Sequence, residues 1–192
     1  MSQLKGKELR TRTTALYPTP VILATCINDS QRPNIITLAW VGVVCSQPQQ
    51  IGIAIRPERY SHPLVEKSGQ FVINIPTMDL LHAVDLCGTV SGRDFDKFAA
   101  AGLTPEPAAR VRPPLIAECP VNMECIVRHK LPLGTHDLFI GEVVAIHVDR
   151  AILHENGNID VAKAKPITYN NREYWSLGDM LEQHGFSRRK KE

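Results

Sequence analysis

The sequence predicts a mainly β protein with helical additions, its strands closing into a barrel. Three observations carry this. The apolar residues gather in short runs rich in isoleucine and valine, bounded by turn-forming residues. The runs come in two batches, one ending at Pro76 and one starting near Met123, with helical segments between them. Helices do not alternate strictly with strands, which argues against a parallel α/β sheet.

Taken in order, Val21 to Ile27 is the first run, and Asn28-Asp29-Ser30 turns it. Ile35 to Val44 is the second, read as one strand that forms a hairpin with the first. Ile51 to Ile55 follows, entered through Pro48, and Phe71 to Ile75 is stopped by Pro76. Between these two, Ser61 is placed to cap a helix carrying Leu64 and Val65 and ending near Gly69. Pro63 is tolerated there because a first-turn N–H has no helical partner. Met78 to Leu86 reads as helical, with Leu80, Leu81, Val84 and Cys87 on one side. A shorter helix is expected from Asp94 to Ala101, ended by Gly102. Leu103 to Pro120 is rich in proline and reads as surface connection. Met123 to Leu131 and Asp137 to Val148 are the last long strands. In the latter, the alternation of Leu138, Ile140, Val144 and Ile146 is taken to mark a buried face. Asn156-Gly157 is a further turn.

The chain has 192 residues, 43% hydrophobic and 22% charged, which suits a single domain, 1–192, with its core at about 15–180. No apolar run is long enough to span a membrane as a helix. The polar start lacks the apolar stretch of a secretion signal, so a cytoplasmic location is expected. Of the 22 basic residues, four crowd the end at Arg188, Arg189, Lys190 and Lys191, within a basic tail at 181–192. The rest of the chain is close to neutral and offers no broad footprint for nucleic acid. The cysteines, Cys26, Cys45, Cys87, Cys119 and Cys125, are odd in number and scattered, which fits free thiols better than a disulfide framework. The seven histidines form no metal-binding spacing, and no metal is expected.

No motif of nucleophilic, phosphate-loop or zinc chemistry occurs. The segment Arg56-Pro57-Glu58-Arg59-Tyr60-Ser61-His62 is the most suggestive. It leaves a strand and enters a helix, and so offers N–H groups, a hydroxyl and two arginines to one place, as a phosphate monoester requires. The same residues are also compatible with an ordinary helix start whose arginines are solvated.

The order and spacing of YPTPVILATC, NIITLAW, CSQPQQIGIAI, RPERYSHPLVEKSGQFVINIP, DLCGTVSGRDFDKF, THDLFIGEVVAIHVD and EYWSLG resemble the flavin reductase-like family, of the flavoredoxin type, over roughly Tyr17 to Gly178. The resemblance implies a split β-barrel that binds FMN at the interface of a homodimer. It further implies that Asn34, Ile36, Thr37, Leu38, Ala39 and Trp40 line the flavin, and that Cys45 and Ser46 lie in the next loop, facing the isoalloxazine edge. Arg56, Arg59, Tyr60 and Ser61 match the phosphate-binding turn. Arg93 falls among polar groups near the cofactor, and Lys97 is in reach of phosphate. His136 matches a histidine close to flavin and nicotinamide, where a neutral imidazole donates a hydrogen bond without fixed charge. Tyr174 and Trp175 match an aromatic pair over the site. The function implied is an FMN-dependent oxidoreductase that passes electrons from a reduced donor, NAD(P)H or a redox protein, to an acceptor. The alternative is an FMN-binding electron carrier with a protein partner. Neither nucleic acid nor a membrane is expected as a partner.

Overall fold

A computed structural model of the chain describes residues 6–11 and 13–188; residues 189–192 of the expected basic tail lie outside it. Its centre is a seven-stranded antiparallel sheet in the order β3-β2-β6-β9-β10-β5-β4. These strands are β2 (Ile22–Ile27), β3 (Pro33–Leu38), β4 (Val41–Ser46), β5 (Gln49–Ile55), β6 (Gln70–Ile75), β9 (Val121–Pro132) and β10 (Asp137–Val148). The two edge strands, β3 and β4, are consecutive in the chain. The expected second run is therefore two strands, broken at Ala39–Trp40. No ladder joins β3 to β4, so the barrel is split along this seam. The Ala54 N–H donates to the Trp40 carbonyl at 2.9 Å, which carries the β4-β5 pairing back to the break.

The barrel has two kinds of wall. β2 is buried at all six positions, because Ile22, Ala24 and Cys26 fill the barrel while Leu23 packs outward with Ile35 against the helices. Strands covered on both faces need no polar alternation, which explains the largely apolar runs. Each fully buried isoleucine contributes about 1.5–3 kcal/mol. The other wall, β4-β5-β10, is covered only inside, by Ile51, Ile53, Ile55 and Phe139. Here one expectation is reversed. The buried residues of β10 include Phe139 and Gly141, whereas Leu138 and Ile140 are half-buried and Ile146 is exposed. Gly141 is demanded by close approach, since a Cβ there would lie 2.5 Å from Phe71 Cζ.

The helices are α1 (Ser61–Ser68), α2 (Leu81–Thr89) and α3 (Lys97–Ala101), with a one-turn α4 (Val161–Ala164) later in the chain. Gly69 ends α1 with φ 65°, as the sequence predicts. Ser61 is not its cap. It is the first helical residue, and its hydroxyl accepts a bond from Asn34 Nδ2 at 2.7 Å. In α2, Val84 and Cys87 are buried, but Leu81 is exposed. The third helix starts later than expected because Asp96, not Asp94, caps it, accepting from the Ala99 N–H at 3.2 Å.

The proline-rich stretch from Leu103 to Pro120 is not simply surface. It carries the short pair β7 (Pro105–Glu106) and β8 (Leu115–Ile116), and it buries Leu103, Val111, Leu115, Ile116 and Cys119. The anchor is Glu124 of β9, fully buried, whose carboxylate accepts the N–H groups of Ala109, Arg110 and Val111 at 2.6–3.0 Å and faces His147 at 2.6 Å. A buried carboxylate is tolerated when so many donors face it. A smaller sheet, β1 (Thr19–Pro20), β11 (Ile167–Asn170) and β12 (Glu173–Ser176), lies in the order β1-β11-β12. All five cysteines are free thiols, four of them buried. No described helix is long and apolar enough to cross a membrane.

Candidate functional site

The seam between β3 and β4 opens into a cavity of about 480 Å³. It is lined by Ile36, Thr37, Leu38, Ala39 and Trp40 at the end of β3, and by Ala54, Ile55, Arg56 and Arg59 where β5 leads into α1. His136, Tyr169, Arg172 and Tyr174 close it from the far strands, and Asp85, Gly88 and Thr89 from α2. The place follows from the topology, since β3 and β4 are the two unpaired edges of the sheet and the Ala39–Trp40 break lies between them.

Trp40 is the centre of an aromatic wall. Its ring stacks on His136 with centroids 6.4 Å apart and an interplanar angle of 9°, and meets Tyr169 at 6.4 Å. Tyr169 in turn tilts against Tyr174 at 5.7 Å. Trp40 is 45% exposed, so it is not a core aromatic. The rings offer π faces and polar tips to a flat ligand. The Tyr174 hydroxyl donates to Asp85 at 3.1 Å; burial and that carboxylate raise its pKa to about 12, so it stays a neutral phenol. Partial burial pushes the His136 imidazole below its ordinary pKa, and Arg56 pushes it further while Glu58 opposes. His136 is therefore neutral at pH 7, with Nδ1 3.0 Å from the Thr135 hydroxyl.

A second cavity of about 400 Å³ shares Ile36, Arg59 and Gly88 with the first. Its walls are Glu58, Tyr60 and Ser61 at the start of α1, the turn Val90-Ser91-Gly92-Arg93-Asp94, and Cys87 and Lys97. Lys97 is 5% exposed, and its ammonium donates to the Cys87 carbonyl at 2.7 Å. Among the described residues it makes no ion pair. Burial lowers its pKa, with Arg59 adding a smaller push, while the neighbouring thiols oppose. Those thiols are no counterions: burial raises Cys26 and Cys87 to about 11. A buried cation without a carboxylate is costly unless an anion answers it. Arg93 lies over the Tyr60 ring at 5.9 Å, and the Arg59 guanidinium has no carboxylate partner among the described residues. Two arginines, a buried lysine and the hydroxyls of Ser61 and Ser91 make a donor set that fits a phosphate monoester.

Most of the expected site residues thus come together in one groove, aromatic at one end and cationic at the other. Asn34 does not line it; buried, it holds Ser61 in place and touches Cys26. Cys45 and Ser46 lie outside both cavities, at the far end of β4, where the Cys45 thiol meets the Gln47 carbonyl at 3.4 Å. Trp175 also points away, 55% exposed, as strand alternation beside Tyr174 requires. Sequence reasoning missed Asp85, Gly88, Thr89, Tyr169 and Arg172. It also gave no part to Gly92, where a Cβ would run into Asn34 and lie 3.0 Å from Tyr60. A glycine between two polar residues just before a helix is the signal that was there to find.

This split barrel with a two-ended groove belongs to the flavin reductase-like family: residues 14–178 match the flavin reductase like domain. Among its relatives is a protein of Archaeoglobus fulgidus, 36% identical over 146 residues, which is 76% of this chain and 80% of that one. Among solved structures, the flavoredoxin of Desulfovibrio vulgaris (Miyazaki F) superposes with a TM-score of 0.87 at 32% identity, covering 98% of this chain and 100% of that one. The flavoredoxin of Methanosarcina acetivorans follows at 0.86 and 26%, covering 95% and 97%.

Proposed function

We propose that the chain is an FMN-binding oxidoreductase that takes electrons from a reduced donor and passes them to an acceptor. The observation that carries this reading is the two-ended groove: aromatic rings at the seam, and a buried lysine with two arginines beyond Ile36. FMN is a flat ring system with one terminal phosphate, and the groove supplies one surface for each. FMN when bound supplies the redox chemistry, taking up two electrons and returning them. The chain's residues bind, orient and shield. Lys97, Arg59, Arg93 and Ser61 hold the phosphate. Trp40 and the end of β3 flank the ring. His136 faces it as a neutral hydrogen-bonding group. No acid–base triad is required, in keeping with the missing catalytic motifs. The donor we propose is NAD(P)H. A second reading, an electron carrier served by a redox protein, is favoured by the likeness to two flavoredoxins.

We further propose that two copies pair, with the flavin near their interface. Support comes from the outer face of the β4-β5-β10 wall. Gly42 pairs with Gly52 there; nothing stands over Gly42, while Leu138 and Val44, the latter 50% exposed, reach over Gly52. An apolar patch with bare backbone at its middle suits close approach of a second copy. Sedimentation at micromolar concentration should give about twice the 21.4 kDa chain mass, and Leu138→Asp should give the single mass. A monomeric wild type that holds FMN tightly would overturn the pairing.

The visible absorption spectrum of the purified protein, followed by anaerobic NADH and then NADPH, tests the main reading. A yellow protein bleached by either supports the oxidoreductase. A yellow protein untouched by both supports the carrier. A colourless protein that takes up no added FMN contradicts both.

A further inference from the structure

The hairpin between β11 and β12 turns in two residues, Asn171 and Arg172, since Asn170 pairs with Glu173. Both take positive φ, 50° and 69°. Two-residue turns of this hand favour asparagine first and glycine second, because the second position punishes a Cβ. Asn171 obeys that rule and Arg172 breaks it. An arginine in glycine's place is a local rule broken, and such departures concentrate where a side chain is needed. The side chain's place agrees, for Arg172 lines the aromatic cavity beside Tyr169 and Tyr174. Exposed at the mouth, its guanidinium pairs with no carboxylate among the described residues. It takes no part in the cationic end, which has its own lysine and arginines. The groove therefore offers two separate positions for anions, one at each end of the aromatic wall.

We infer that Arg172 reads the charge of the electron donor, binding a phosphate of a nicotinamide dinucleotide whose flat ring enters between Trp40 and Tyr174. The inference rests on the flavin reading and adds a specificity residue to it. The charge sits at the mouth of the cavity while the ring enters it, which suits a long donor with its phosphates remote from the reacting ring. The transfer served moves a hydride from the dihydronicotinamide C4 to FMN, with a proton from water completing the reduced flavin and the oxidised nicotinamide leaving. Arg172 touches only the remote phosphate, so its contribution falls on binding.

Calorimetric titration of FMN-loaded protein with NAD+ tests this without turnover, on wild type, Arg172→Gly and Arg172→Lys. Arg172→Gly should weaken NAD+ about tenfold, as expected of one solvent-facing charge-assisted contact. Arg172→Lys should keep most of the affinity, and added salt should weaken wild type more than Arg172→Gly. In thermal unfolding without ligands, Arg172→Gly should melt higher than wild type, because glycine accepts this backbone. Higher stability with lost affinity separates a recognition role from a structural one. Unchanged NAD+ affinity in Arg172→Gly, or an FMN-loaded wild type that binds no NAD+, overturns the inference and leaves the flavin reading intact. Failure to take up FMN overturns both.

Discussion

The two ends of the groove recognise by opposite means. At the cationic end two of the four donors are buried, Lys97 at 5% exposed and Ser61 at 2%, with Asn34 fixing the hydroxyl from behind, while Arg59 and Arg93 reach in from the surface. At the aromatic end Trp40 is 45% exposed, and its ring is held by stacking on His136 and a tilted contact with Tyr169. Charge is worth most where water is excluded, so in the proposed reading the cationic end carries most of the affinity. Flat rings need only faces, so the aromatic end stays open to a second molecule. In the proposed reading one groove divides anchoring from exchange: the buried lysine and hydroxyl grip the ligand that stays, and the open rings meet the one that comes and goes.

The largest expected effects come from breaking the cationic end. Lys97→Met should weaken FMN by about 100-fold, towards the upper range of a charge-assisted bond, and leave riboflavin nearly unchanged. The ligand-free protein should also melt higher, since a methionine replaces a buried ammonium without a counterion. Titration with both flavins and a melting curve check these together. At the open end, Trp40→Ala should weaken FMN and riboflavin alike, by about tenfold, through lost ring contact. A loss confined to FMN would contradict the division.

The smallest effect expected is a pH response. The lowered pKa of His136 means the neutral form persists down to below the ordinary value of 6.5 and gains a proton only at more acid pH. The spectrum of bound FMN should therefore be constant from pH 7 to 9 and change only below pH 6.5, where a cation comes to face the ring. His136→Asn should abolish that change. A transition centred above pH 7 would contradict the assignment.

Much of this was legible in the sequence, for a physical reason. Strands β2, β3 and β6 announce themselves because burial on both faces leaves largely apolar runs, with Thr25, Thr37 and Asn74 among their polar members. Gly69 and Gly102 mark helix ends because each takes a positive φ. That Arg59, Tyr60 and Ser61 face one cavity was legible because they crowd a strand-to-helix junction. What was not legible depends on distant partners. The alternation along β10 has an apolar outer face, so periodicity marked Leu138 and Ile146 as inward when Phe139 is. The stretch from Leu103 to Pro120 is held by Glu124, and no local pattern says that a carboxylate waits under a proline-rich loop. Gly92, Asp85 and Arg172 join the groove only through the fold. Lys97 was expected within reach of phosphate, but its burial beside the Cys87 carbonyl comes only from the packing of α3.

Arg59 offers the most direct test of the division between the two ends, because it lines both cavities and is replaceable without opening the core. The measurement is the ratio of FMN to riboflavin affinity in wild type and Arg59→Ala. The account predicts a loss for FMN of about 10- to 150-fold with riboflavin barely moved, so that the ratio collapses while the melting temperature holds. Equal losses for both flavins, or none for either, would contradict it and remove this turn from the site.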